Sequence, residues 1–198
     1  MYEEFYGFKE RPFALVPDPS FLYLSKGHGT ALTLLRYSIM NRQGFTVVSG
    51  EVGSGKTTLV NRLLDELKTG VTVGLINFTT RTFGDMAEWI MMAYGLPYKN
   101  KGKVELYEDF VQFMIREYAA GRPVVLIVDE AQNLGIRGLE EIRMLSNVNA
   151  QKEYLLHVIL VGQPELRALL QTPQLRQLTQ RVSVAFHLKP LSDVEVQQ

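Results

Sequence analysis

Residues 45–58 read Phe45-Thr46-Val47-Val48-Ser49-Gly50-Glu51-Val52-Gly53-Ser54-Gly55-Lys56-Thr57-Thr58, an apolar run that breaks into a glycine-rich turn. From Gly50 to Thr57 the stretch satisfies G-x-x-x-x-G-K-[ST] at every position. The motif makes a physical demand: a strand must feed the loop and a helix must leave it, so that backbone N–H groups and the positive helix end face one point. Both flanks are present. Phe45–Gly50 has the composition of a buried strand, and Leu59, Val60, Leu63, Leu64 and Leu67 share one face of a helix. The loop is therefore suited to a polyphosphate, with Gly50, Glu51, Val52, Gly53, Ser54, Gly55, Lys56, Thr57 and Thr58 as its contact set. With ATP or ADP as the expected ligand, Lys56 would neutralise the β-phosphate and, in ATP, the γ-phosphate, and Thr57 would offer its hydroxyl to Mg²⁺.

Composition narrows the field from another side. The chain has 198 residues, 46% of them hydrophobic, enough for one domain with a large core. Its 21 basic residues balance 21 acidic ones, so any nucleic-acid or membrane surface must be local. With no cysteine, disulfide frameworks, thiolate zinc sites and cysteine nucleophiles are all excluded, and a cytoplasmic protein is the simplest reading. No stretch has the length and apolarity of a membrane span, and the N-terminus has no apolar signal core.

The rest of the chain alternates strand and helix. Residues 1–24, aromatic and broken by Pro12, Pro17 and Pro19, read as an extended arm packed on the domain. Ser25 caps a helix with Ala31, Leu32, Leu35, Ile39 and Met40 on one face. Strands follow at 45–50, 71–78, 124–128, 154–161 and 182–188. Helices lie between them, one capped by Thr82 and Asp85, one reaching Ala120, and others over 164–170 and 172–181. The expected fold is α/β, a five-stranded parallel sheet sandwiched by helices, with the nucleotide-binding core over 25–190.

A second motif bears on the chemistry. Val124-Val125-Leu126-Ile127-Val128-Asp129-Glu130 is a strand ending in two carboxylates, Asp129 placed to hold Mg²⁺ through water and Glu130 to orient or deprotonate an attacking water. Small-molecule kinases with such loops generally lack the second acid, so hydrolysis is favoured. Gln163, at the end of the fourth strand, is placed to reach the γ-phosphate or the water; the alternative is an amide that caps the next helix. Asn77, at the end of the second strand, is placed to hold Glu130 away from water, or is simply solvated.

With these residues in place the chain resembles the AAA+ ATPases, and more narrowly the family of general secretion pathway protein A and its exosortase-associated relatives. The resemblance is carried by YEEFYGFKERPFALVPDPSFLYLS, GEVGSGKTT, VVLIVDEAQNL, LEEIRMLSN, LVGQPELR and LRQLTQRVSVAFHLKPL, which together cover nearly the whole chain. It implies a P-loop ATPase on the cytoplasmic face of the inner membrane, normally followed by a helical lid. Only the start of a truncated lid, residues 191–198, is expected here. The resemblance also implies an arginine acting across a subunit boundary: Arg181 matches that place, with Arg176 as the substitute. Ala14, Leu15, Val16 and Pro17 would form the adenine wall, with His28 nearby.

Three readings follow. The first is an oligomerising ATPase, in a ring or part-ring, that drives assembly of envelope or secretion machinery. The second is an ATP-dependent DNA-binding regulator of the transposition type, for which Lys99, Lys101 and Lys103 give footing unless they form a solvated turn. The third is a nucleotide-gated adaptor with an idle Glu130. His157 and His187 sit on apolar strand patterns and read as packing residues, and no metal beyond nucleotide-borne Mg²⁺ is expected.

Overall fold

The computed structural model describes residues 2–7, 23–67, 70–77, 85–150 and 153–196. In chain order these form α1 (Tyr2–Tyr6), α2 (Lys26–Met40), β1 (Phe45–Gly50), α3 (Lys56–Glu66), β2 (Thr72–Asn77), α4 (Met86–Ala93) and α5 (Lys103–Ala119). They continue with β3 (Val124–Asp129), α6 (Gly135–Leu145), β4 (Asn149–Ala150), β5 (Glu153–Tyr154), β6 (Leu156–Gly162), α7 (Pro164–Leu170), α8 (Arg176–Thr179), β7 (Val182–Leu188) and α9 (Asp193–Val196). Short 3-10 turns at Ala131–Leu134 and Pro173–Leu175 precede α6 and α8.

Five strands pair in parallel in the order β2-β3-β6-β1-β7. Every residue of β1, β3 and β6 is buried, as expected of largely apolar strands when helices cover both faces. Alternate residues then serve opposite cores. Phe45, Val47, Leu126, Val128, Val158 and Leu160 pack with α4 to α8, whereas Val48, Val125, Ile127, Ile159 and Val161 pack with α2 and α3. Because β6 lies between β1 and β3, the carboxyl ends of three central strands converge where the strand order reverses, the usual place for a ligand in such a sheet.

Some expectations need correction. The arm is not extended throughout: its described start is the helix α1, whose Phe5 is 81% exposed and stacks edge-on against Tyr6 at 4.9 Å instead of entering the core. Ala14, Leu15, Val16 and Pro17 lie outside the described residues. Asp85 caps α4 through Ala87 N, and Thr82 lies outside the described residues. The antiparallel hairpin β4–β5 was not expected, since two-residue strands are too short to show a period. His157 is more than packing: its ring meets Gln43 O and Ser38 Oγ. His187 is only half-buried and meets Ser49 Oγ at 3.1 Å. Among the described residues no helix is long and apolar enough to cross a membrane.

Candidate active site

The glycine loop leaves β1 at its carboxyl end and turns directly into α3. Gly53 (φ +77°) and Gly55 (φ +83°) take left-handed conformations that side chains disfavour. Gly50 is required for a different reason: a Cβ there would lie 2.5 Å from Leu188 O and 2.6 Å from Ser54 Oγ. Glu51 and Val52 form the exposed rim, while Ser54 and Lys56 are buried and Thr57 and Thr58 partly so. Lys56 Nζ crosses the loop to donate to Gly50 O and Glu51 O, 2.8 Å each.

The acids stand across β6. Thr57 Oγ1 donates to Asp129 Oδ2 at 3.0 Å, and Glu130 N donates to Asp129 Oδ1 at 2.9 Å. Asp129 is 3% exposed, and burial raises its pKa above the ordinary carboxylate value against those two hydrogen bonds. A divalent cation at this pair would restore the stability of the ionised form. Glu130 has φ +53°, a left-handed conformation costing a non-glycine residue on the order of 1–3 kcal/mol and common at functional sites. Gln163 Nε2 donates to Glu130 Oε2 at 3.1 Å, so the side chain at the end of β6 faces the second acid. Its backbone is also the N-cap of α7, without a side-chain cap bond.

The residues fit a nucleotide with Mg²⁺. The loop presents glycines where side chains would intrude, one buried cation, a hydroxyl–carboxylate pair, and a buried Ser54 Oγ that has no hydrogen-bond partner among the described residues. Other expectations resolve differently. No hydrogen bond joins Asn77 to Glu130 among the described residues; the amides on Glu130 come from Gln163 and from Gln132, which the sequence reading did not single out. A glutamine two residues past the acid, entering a tight turn, was the available signal. His28 belongs to the loop: it is 3% exposed, and its Nε2 meets Ser54 O at 3.0 Å. Since a carbonyl only accepts, Nε2 carries the proton and Nδ1 accepts from Ser25 Oγ at 2.8 Å.

Two groups lie away from this cluster. Arg181 precedes β7, the strand next to β1, at the amino end of the sheet and so away from the loop, since Val182 pairs with Phe45 and Leu188 with Gly50. Its Nη1 donates to Arg143 O at 3.5 Å, and Arg176 is exposed on α8. In the basic loop, Lys101 pairs with Asp109 and Lys103 with Asp85, leaving Lys99 exposed.

The chain is 40% identical over 197 residues to general secretion pathway protein A of Aeromonas hydrophila, covering 99% of this chain and 36% of that protein. It thus spans about a third of the length of that relative. Among solved structures, the ORC2 protein of Aeropyrum pernix in its ADPNP–ADP complexes superposes with a TM-score of 0.64 at 17% identity, over 92% of this chain and 52% of that one. Cdc6p from Pyrobaculum aerophilum gives 0.62 at 20% identity, again over 92% of this chain and 52% of that one. At such identities the likeness concerns the fold. The family model described as the AAA domain matches residues 39–170, from the end of α2 to the end of α7 and so across the whole loop, acid and Gln163 cluster. The chain belongs to the AAA domain family.

Proposed function

We propose that the chain binds ATP with Mg²⁺ and hydrolyses it, working as an oligomerising ATPase at the cytoplasmic face of the inner membrane that drives assembly of secretion or envelope machinery. The observation that carries the hydrolase reading is the convergence of Lys56, Thr57, Asp129, Glu130 and Gln163 at one sheet edge. The bound nucleotide supplies a phosphoanhydride and the metal charge that activates it. Lys56 and the loop N–H groups hold the phosphates, and Thr57 with Asp129 holds the cation. Glu130 takes the proton of the attacking water. Gln163 orients that water or the γ-phosphate.

Among the described residues the cluster has no second cation for charge that builds on the γ-phosphoryl group. Arg181 lies a strand's length away, about 20 Å for seven residues, too far to serve its own loop. We assign it to the loop of a neighbouring copy, with Arg176 as the substitute. Identity to the secretion protein over nearly the whole chain supports the cellular half of this reading. The DNA-binding alternative is weakened, because two of its three lysines are held in ion pairs. Lys56→Ala is expected to lose ATP binding, and Glu130→Gln to bind and not turn over. Turnover measured with and without duplex DNA decides between the partners: stimulation by DNA would favour the alternative, and indifference the secretion reading.

A further inference from the structure

The base and the strand that carries Gln163 are joined by a side chain to which the proposed chemistry assigns no role. The ladder between β3 and β6 ends at Val128 and Leu160, just short of the acids. Past that point Gln132, in the 3-10 turn that follows β3, makes the connection with both ends of its amide. Its Nε2 donates to Glu130 Oε2, and its Oε1 accepts from Gln163 N at 3.1 Å. Chemistry fixes this orientation, since a backbone N–H requires an acceptor and a carboxylate requires a donor. Gly162 makes room for it: a Cβ there would sit 2.5 Å from Gln132 Oε1.

We propose that Gln132 is a positioning residue, a brace that fixes the Glu130 carboxylate to the end of β6. The inference rests on the hydrolase reading and deepens it. Both amides, from Gln132 and Gln163, meet on the single oxygen Oε2, and no described residue donates to Oε1. Among the described residues the brace thus engages Oε2 alone, and we assign Oε1 as the oxygen offered to water. Gln132 holds Glu130 independently of the Gln163 side chain, because its second anchor is the Gln163 backbone. The left-handed backbone of Glu130 gives a reason for such a brace, since a strained residue persists only where its surroundings hold it.

The test uses the 198-residue chain in two ways. Without nucleotide, the side-chain amide NMR resonances of Gln132 and Gln163 are compared between the parent and Glu130→Ala. Both pairs are expected to move, and an unmoved Gln132 pair overturns the brace. With ATP, Gln132→Met keeps the shape and removes the amide. Its kcat should fall about 10- to 100-fold, the cost of a base misplaced by about 1 Å, while ATP affinity stays within about twofold. Gly162→Ala, which displaces the same amide oxygen by crowding, should give the same split, and the double variant should be no slower than the worse single one. A Gln132→Met enzyme with parental kcat, where Glu130→Gln is inactive, overturns the inference and leaves the hydrolase reading intact. Absence of turnover by the parent removes the hydrolase reading and the positioning role together.

Discussion

Asp129 joins stability and function in one side chain. Its pKa is raised chiefly by burial, so the folded chain holds the ionised carboxylate less comfortably than the unfolded chain does. The associated stability is present below the unfolded value and lost as pH rises through the raised folded one. At neutral pH, Asp129→Asn should therefore raise the Tm of the nucleotide-free chain, a gain that fades on acidification, while weakening the Mg²⁺-dependent part of ATP affinity. An unchanged or lowered Tm at pH 7 would contradict this. His157 acts in the opposite pH direction. Burial lowers its pKa to about 4 from 6.5, so the unfolded chain takes up a proton first as pH falls below about 6.5. The loss accumulates down to about pH 4 and amounts to on the order of 3 kcal/mol. His157→Gln should flatten the Tm profile between those limits relative to the parent, and parallel profiles would refute the assignment.

At the scale of elements, the turn from β1 to α3 is where a single methyl group should do most damage. A Cβ on Gly55 would lie 2.7 Å from His28 Nε2, and its φ of +83° costs an L-residue about 1–2 kcal/mol besides. Gly55→Ala should lower Tm and abolish ATP binding in a calorimetric titration. His28→Ala in the same chain should recover only part of the stability, because the backbone term remains. Parental ATP affinity for Gly55→Ala would contradict the loop geometry. These elements were legible in the sequence because their signals are local: a glycine spacing, an aliphatic run, a Pro at the start of α7. The contacts that were missed are not local. Gln132 meets the Gln163 backbone 31 residues on, and His28 meets the loop 26 residues on. No periodicity encodes such pairs.

On the scale of the whole molecule, the register of β7 against β1 puts Arg181 and the glycine loop at opposite ends of two neighbouring strands, and the proposed shared site would take them from two copies. An arginine acting across a boundary contributes about 10³ to 10⁵ in kcat. Arg181→Ala should therefore be nearly as inactive as Glu130→Gln while binding ATP normally. Mixing the two inactive variants should restore part of the activity, since one interface then pairs an intact Glu130 with an intact Arg181. Mixed assemblies without activity would overturn the shared site. The five parallel strands and the acid pair at the end of β3 were legible in the sequence pattern, whereas the strand order and the end of the sheet on which Arg181 stands needed the pairing of β6 and β7 with β1. The most direct test of the central claim is phosphate release from ATP by the 198-residue chain and by Glu130→Gln, with Mg²⁺-dependent ATP binding measured on both. Comparable binding is expected, with release by the parent alone at a rate per subunit that rises with protein concentration. Equal release by the two proteins, or a parent that does not bind ATP, would contradict it.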